Sequence, residues 1–114
     1  MTFSVVLPIK AVSVLNTREH HMARYKRTKL HREAVRWACP WLVRTALPCT
    51  VTLTRIAPRP LDQHDNLQAS CKAIVDEIAD RLGVKDNDVR VQWKYAQERG
   101  APKTYAVRVE VQAT

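Results

Sequence analysis

The hydrophobic residues of this chain follow two different periods in separate segments, and this change of period constrains the fold most. Apolar residues recur at helical spacing in the first of these segments, at Leu67, Cys71, Ile74, Ile78 and Leu82. From residue 89 onwards apolar and polar side chains alternate. The first pattern is typical of a helix with one buried face and the second of a strand with one buried face. We therefore expect a helix that begins near Asp65 and ends at Gly83, followed by strands.

The rest of the chain extends this pattern into a β-α-β-α-β-β order. Strands are predicted at residues 3–7, 50–55, 89–95 and 105–111, and a first helix from about residue 22. The buried stripe expected on that helix consists of Leu30, Ala34, Trp37, Ala38 and Trp41. Gly100 and Pro102 mark a turn between the last two strands, which we expect to form an antiparallel hairpin. The predicted fold is α+β, a single domain over residues 1–114 with a small mixed sheet.

Length and cysteine content favour a reduced, cytoplasmic protein. No apolar run approaches the roughly 20 residues that span a bilayer, and the start of the chain lacks the features of a signal peptide. We therefore expect no membrane partner. The three cysteines, Cys39, Cys49 and Cys71, have no C-x-x-C spacing and are expected to be partly buried thiols. His20, His21 and His31 are expected at the surface, and Trp37 and Trp41 in the core.

Positive charge is concentrated in the first half of the chain. Residues 1–60 carry eleven Lys and Arg against two acids, whereas residues 61–114 carry eight basic and nine acidic residues. The formal net charge is +8. This asymmetry predicts a surface for a polyanion, built mainly by the first half, whereas the alternative is a solvated basic face without a partner. An RNA-binding module is a further alternative, but no exposed aromatic motif on a strand supports it.

Acidic residues bracket the second predicted helix. Asp62 and Asp65 come at its start, and Asp86 and Asp88 follow its end. Carboxylate oxygens are the ligands that Mg²⁺ and Mn²⁺ prefer, and clustered acids repel phosphate unless a cation lies between them. Asp65 has an alternative role as a helix N-cap, and residues 86–88 as an ordinary turn. Because a helix of about 17 residues is roughly 25 Å long, the two ends meet only if the following loop folds back, the helix is shorter than predicted or a second subunit contributes.

The order of these motifs resembles the RusA family of phage-derived Holliday junction resolvases. The resemblance rests on D-N-L at residues 65–67, then Lys72 and Asp76, and then the segment 82–89, which ends in an acidic loop before a strand. The opening FSVVLP, the asparagine at residue 16 and the basic segment after it are similar to the start of the family. The resemblance implies a small homodimeric α+β endodeoxyribonuclease that depends on Mg²⁺ (or Mn²⁺) and cuts four-way DNA junctions in recombination and repair.

By position, the resemblance assigns catalytic roles to Asp65, Asp86 and Lys72. The implied metal ligands are Asp62, Asp65, Asp86 and Asp88. The implied DNA-binding residues are Arg18, Arg24, Lys26, Arg27, Lys29, Arg32 and Arg36.

The chain departs from the family pattern at three places. Gln63 stands where the family has its first acid, with Asp62 one position earlier, and Lys85 stands where the family has an acid before Asp86. The interval from Asn66 to Lys72 is three residues longer than is usual in the family. A non-catalytic DNA-binding protein with a degenerate site is therefore the alternative function. His64, between the acids, is either a metal ligand or general base, or a loop residue that faces solvent.

Overall fold

The computed structural model describes residues 2–12, 21–61 and 66–113. The predicted order of elements is confirmed, with a 3₁₀ turn at Pro40–Arg44 as an addition. The strands are β1 (Thr2–Leu7), β2 (Cys49–Ala57), β3 (Val91–Arg99) and β4 (Ala106–Ala113). The helices are α1 (His21–Ala38), α2 (Asn66–Ser70) and α3 (Lys72–Leu82). The protein is an α+β domain with one mixed sheet, as the sequence predicts.

The four strands lie in the order β1-β4-β2-β3. β2 and β3 are parallel, and β4 is antiparallel to both β1 and β2. β3 and β4 therefore run in opposite directions, as expected for the end of the chain, but they are not paired as a simple hairpin because β2 lies between them. The connection from Arg99 to Ala106 has six residues, more than the roughly two to five of most hairpin loops, and so can cross over a strand.

One face of the sheet carries the hydrophobic core. Val107, Val109 and Val111 of β4 are fully buried, as are Val51 and Leu53 of the neighbouring β2. The two long helices, α1 and α3, contact each other and share this core with the strands. The three cysteines are free thiols in the same core, and burial raises the pKa of Cys39 to about 11.

The second helical segment follows its predicted apolar stripe. The first four residues of that stripe are buried, and Leu82 packs partly against the core. A turn at Cys71 divides the segment into α2 and α3. Gly83 ends α3 in the left-handed conformation, at φ +76°, as a C-terminal glycine is expected to do. The capping role proposed for Asp65 concerns a residue outside the described part of the chain.

The buried face of α1 differs from the one predicted. Leu30 is 58% exposed and Trp37 is 82% exposed, so neither belongs to the core. The helix instead buries His31 and Val35, followed by Cys39 and Leu42 beyond its end. This face is about one residue further along the helix than the predicted stripe, so the expectation of a surface position for His31 was wrong.

Of two further expectations, the one for Trp41 is confirmed and the one for Val89 is not. Trp41 is partly buried and stacks on Phe3 with ring centroids 4.7 Å apart, so it packs as expected. Val89, placed on the third strand by its alternation, is 98% exposed and lies in the turn before β3. The Asp88 carbonyl accepts the Val91 N–H in this turn, which starts the strand two residues later than predicted.

We predict that two valine truncations will differ sharply in their effect on stability. Val109→Ala removes two methyl groups from a fully buried site opposite Leu53 and should lower the free energy of unfolding by about 2 kcal/mol. Val89→Ala makes the same chemical change at an exposed site and should cost less than about 0.5 kcal/mol. Urea denaturation of the two variants measures both values, and equal losses would contradict the described core.

Candidate metal and nucleic-acid site

The loop after α3 folds back along the helix. Trp93 of β3 donates its indole N–H to the Asp86 carbonyl at 2.9 Å and so holds this loop against the start of the strand. Lys72, the first residue of α3, reaches the carboxylate of Asp86 with its ammonium at 2.9 Å. An eleven-residue helix is roughly 16 Å long, so this contact requires the chain to return beside it. The loop after α3 therefore folds back to Lys72 at the start of α3, whereas Asp65, with which the sequence hypothesis joins Asp86, lies outside the described residues.

Lys72 lies between two carboxylates. Its Nζ atom is 2.9 Å from Asp76 Oδ1 and 2.9 Å from Asp86 Oδ2. Hydrogen bonds to Asp86 and Asp76 raise the pKa of Lys72, and the hydrogen bond from Lys72 lowers the pKa of Asp86. Both Lys72 and Asp86 are therefore charged at neutral pH. The carboxylate of Asp86 offers the oxygen ligands that a hard divalent ion prefers.

Asp88, the other acid of the loop, contacts a different residue. Its Oδ1 accepts the Arg90 backbone N–H at 2.9 Å, and its two oxygens accept the Arg90 guanidinium at 3.1 and 2.9 Å. The Arg90 side chain holds the pKa of Asp88 at about 2. This geometry is an Asx turn reinforced by a bidentate ion pair, which agrees with the turn alternative for residues 86–88. As a metal ligand, Asp88 would first have to leave Arg90.

Three of the predicted site residues, Arg18, Asp62 and Asp65, lie outside the described residues, as does His64. Asp65 directly precedes Asn66, and Asn66 is a buried residue at the start of α2. Within residues 2–12, 21–61 and 66–113, no three His, Cys, Asp or Glu side chains are grouped so that they could hold a metal ion. A complete metal site built on Asp86 would thus need donors from beyond this part of the chain.

The predicted DNA-binding residues of α1 fall into two groups. Arg24, Lys26 and Lys29 are exposed, and Arg27 is half-exposed, in the first half of the helix. The two later arginines instead face α3. Arg32 Nε is 3.1 Å and Arg36 Nη2 is 3.3 Å from the same oxygen of Glu77.

Glu77 is the buried acid that joins the two long helices, and the sequence reasoning did not identify it. It is 1% exposed, and besides the two arginines of α1 it accepts a hydrogen bond from Arg81 Nε at 2.8 Å. Burial alone would raise the pKa of Glu77, but hydrogen bonds from Arg81, Arg32 and Arg36 outweigh it and lower that pKa. The sequence signal was an acid that lies three residues after Ile74, on the apolar side of α3.

Arg55 and Gln97 hold the chain where it leaves the sheet, and the sequence reasoning also missed both. Arg55, 7% exposed on β2, donates to the carbonyls of Ala11 at 3.0 Å and Arg59 at 2.8 Å. Gln97 of β3 binds both the N–H and the carbonyl of Leu61 through its side-chain amide. These contacts fix the segments that follow β1 and β2 near the carboxyl ends of the parallel strands β2 and β3. The alternation of β2 placed Arg55 on the inward face, which was the available signal.

The comparisons with known proteins do not identify a family. No protein-family model matches the chain, and no curated protein matches it significantly. A solved 2C-methyl-D-erythritol 2,4-cyclodiphosphate synthase from Plasmodium vivax is similar over 75% of this chain and 52% of that chain, with 19% identity and a TM-score of 0.36. A further structure of a 2C-methyl-D-erythritol-2,4-cyclodiphosphate synthase has 19% identity over 75% of this chain and 51% of that chain, with a TM-score of 0.34. The chain spans about half the length of these structures, and likeness at this level carries no functional argument.

We predict that Glu77→Gln will destabilise the protein far more than a matched surface change. The substitution keeps the shape but leaves three arginines without their buried anion, and should lower the free energy of unfolding at neutral pH by about 2–3 kcal/mol. Asp80→Asn removes an acid that also pairs with Arg32 but is 64% exposed, and should cost less than about 1 kcal/mol.

The pH dependence of stability in wild type and in Glu77→Gln tests the lowered pKa of Glu77. Because folding lowers this pKa, the stabilisation is complete above the ordinary glutamate pKa of about 4.3 and is lost as the pH falls through the lowered value in the folded state. The difference between wild type and Glu77→Gln in urea denaturation should therefore shrink on acidification. A difference that stays constant, or a Glu77→Gln cost no larger than that of Asp80→Asn, would contradict this role.

Proposed function

We propose that the protein is a metal-dependent endodeoxyribonuclease that resolves branched DNA such as Holliday junctions. The observation that carries the proposal is the contact between Lys72 and Asp86, because it joins two residues that the resemblance to the RusA family assigns to one catalytic centre. The order of motifs from residue 65 to residue 89 supports the same function. The basic first half of α1 supplies a surface of the charge that DNA requires.

In this proposal Asp86 and Asp65 are the principal ligands of Mg²⁺ or Mn²⁺, with Asp62 and Asp88 as further candidates. A divalent ion supplies polarisation of the phosphoryl group, a hydroxide nucleophile and support for the leaving oxygen. Asp86 is already ionised, so it can bind a cation without losing a proton. Lys72 exchanges its contact with Asp86 for one with a phosphate oxygen, where its charge stabilises the transition state. Asp76, one turn along α3, keeps Lys72 in place during this exchange.

The DNA-binding surface in this proposal is centred on Arg24, Lys26, Arg27 and Lys29, with Arg18 as a further contact. Arg32 and Arg36 contribute by fixing the helix through Glu77 and add their charge to the field around it. Contacts of this kind bind the DNA backbone without reading sequence, so affinity should fall steeply with salt. A homodimer that binds both sides of a junction, and a cytoplasmic location, complete the proposal. No helix in the described parts of the chain is long and apolar enough to cross a membrane.

The second candidate function is a DNA-binding protein without cleavage activity. The observation that favours it is that a lysine ammonium, rather than a free space, lies between Asp76 and Asp86. Gln63 in place of the first motif acid points the same way. This candidate requires junction binding in EDTA and no cleavage with either metal ion.

We predict nicking of a four-way DNA junction in the presence of Mg²⁺. Asp65→Asn and Asp86→Asn should each lower the cleavage rate by about 100-fold or more, because each removes a charged metal ligand. Asp80→Asn is the matched control, since it removes an exposed acid of α3 that contacts Arg32 and not Lys72. Its rate should stay within about threefold of wild type.

Junction binding and Mn²⁺ calorimetry separate the two candidates. The nuclease proposal predicts Mn²⁺ binding that is lost in Asp86→Asn, together with junction binding that persists in that variant. Cleavage that survives both Asp65→Asn and Asp86→Asn would overturn the proposed active site. Junction binding without cleavage, and without measurable Mn²⁺ binding, would assign the protein to the second candidate instead.

A further inference from the structure

A cleft of about 340 Å³ lies between the first half of α1 and the segment that contains α2 and the start of α3. Arg24, Arg27 and His31 line it from α1, and Ser70 and Lys72 line it from the opposite side. Its volume is several times the roughly 30 Å³ occupied by one water molecule, so it admits a phosphoryl group and part of a sugar. Among the described residues, Lys72 and Asp76 line the cleft and also belong to the candidate metal site, whereas Asp86 does not line it.

The described side chains around this cleft are mainly cationic. Among the described residues, three cationic side chains line it together with one carboxylate, that of Asp76, which already accepts a hydrogen bond from Lys72. Arg24 and Arg27 lie about one helical turn apart on α1 and both line the cleft. A guanidinium group carries several N–H donors, and a phosphate has the matching acceptor oxygens.

His31 gives the cleft a buried polar wall. It is 3% exposed, and burial lowers its pKa more than the hydrogen bond with the Lys10 backbone raises it, with Arg27 lowering it further. The charged side chains that share the cleft with it are Arg24 and Arg27 on its own helix, and Lys72 and Asp76 on α3. An anion held among these groups would favour the protonated imidazole. His31 is therefore a local reporter of what enters the cleft.

We propose that this cleft binds a phosphodiester group of the DNA strand, held by Arg24 and Arg27 beside Lys72. The inference deepens the proposed function and rests on it for the source of the phosphate. The cleft would give the DNA strand one fixed contact on the α1 side of Lys72, next to the phosphate that would be cut. A fixed phosphate would set the register of the strand relative to Asp86, which diffuse contacts along α1 cannot do.

The test uses the full chain in EDTA, so that it is independent of metal binding and cleavage. The probe is an unphosphorylated thymidine dinucleotide, which carries one phosphodiester and keeps the same charge across the titration range of histidine. NMR follows the imidazole signal of His31, assigned by comparison with His31→Gln. Saturation with the dinucleotide should raise the pKa of His31. A pKa that stays unchanged at saturation, or an absence of dinucleotide binding, would overturn the proposal.

Two variants with the same loss of charge locate the binding. Arg27→Gln removes a cleft residue and should weaken dinucleotide binding by about tenfold or more, as expected for a charged hydrogen bond. Lys94→Gln removes one positive charge from an exposed position on β3, outside the cleft lining, and should weaken binding by less than about threefold. Arg24→Gln provides a second cleft variant, and circular dichroism checks that each variant is folded. Equal weakening by Arg27→Gln and Lys94→Gln would mean diffuse attraction and would overturn the cleft.

A nucleoside monophosphate distinguishes the two sources of a phosphoryl group. If the cleft serves the DNA strand, the dinucleotide must raise the pKa of His31, whether or not thymidine monophosphate does so as well. A response to the monophosphate alone would make the cleft a nucleotide site and overturn the proposal for DNA. Junction nicking with Mg²⁺ can fail while the dinucleotide response in EDTA persists, so the failure of the nuclease proposal and the failure of this inference are distinguishable.

Discussion

The buried carboxylate of Glu77 is the interaction on which the arrangement of the two long helices depends. An acid that is 1% exposed needs compensating charge, and three arginines supply it, two from α1 and one from its own helix. The geometry of these bonds fixes the rotation of α1 over α3. As a result Leu30 and Trp37 point outward while His31 and Val35 face the core. The same rotation sets the first half of α1 beside the start of α3 and so forms the cleft between them.

The positively charged residues of the chain have two different structural roles. Arg32 and Arg36 bind Glu77, and Arg55 is buried and binds backbone carbonyls that follow β1 and β2. These arginines stabilise the fold, although by sequence alone they look like part of a nucleic-acid surface. Arg24 and Arg27 instead line the cleft, together with Lys72. The net charge therefore overstates the positive surface that is open to a polyanion.

Local patterns in the sequence predicted the elements well, whereas contacts between distant elements were not predictable from them. Alternation identified the strands, and the position of Gly83 identified the end of α3, because both depend on nearby residues. The predicted buried face of α1 was wrong because Leu30 and Trp37 are larger than Val35 and more apolar than His31, which pack in their place. Glu77, the acid that sets the rotation of the helix, lies 41 residues after Arg36. The pairing of β2 with β4 likewise joins segments that are far apart in sequence. For the candidate site, the sequence named Lys72 and Asp86 but could not show that the loop between α3 and β3 folds back.

In the proposed function, Asp86 binds the metal ion beside the start of α3, where this fold-back brings it. The most direct measurement is the broadening of backbone amide NMR signals by substoichiometric Mn²⁺, since a bound paramagnetic ion affects only nearby residues. The account predicts early broadening at Lys72 and Ala73 together with Asp86 and Asn87, and its loss in Asp86→Asn. Broadening confined to other acids, such as Glu98 or Glu110, or broadening that survives in Asp86→Asn, would contradict it.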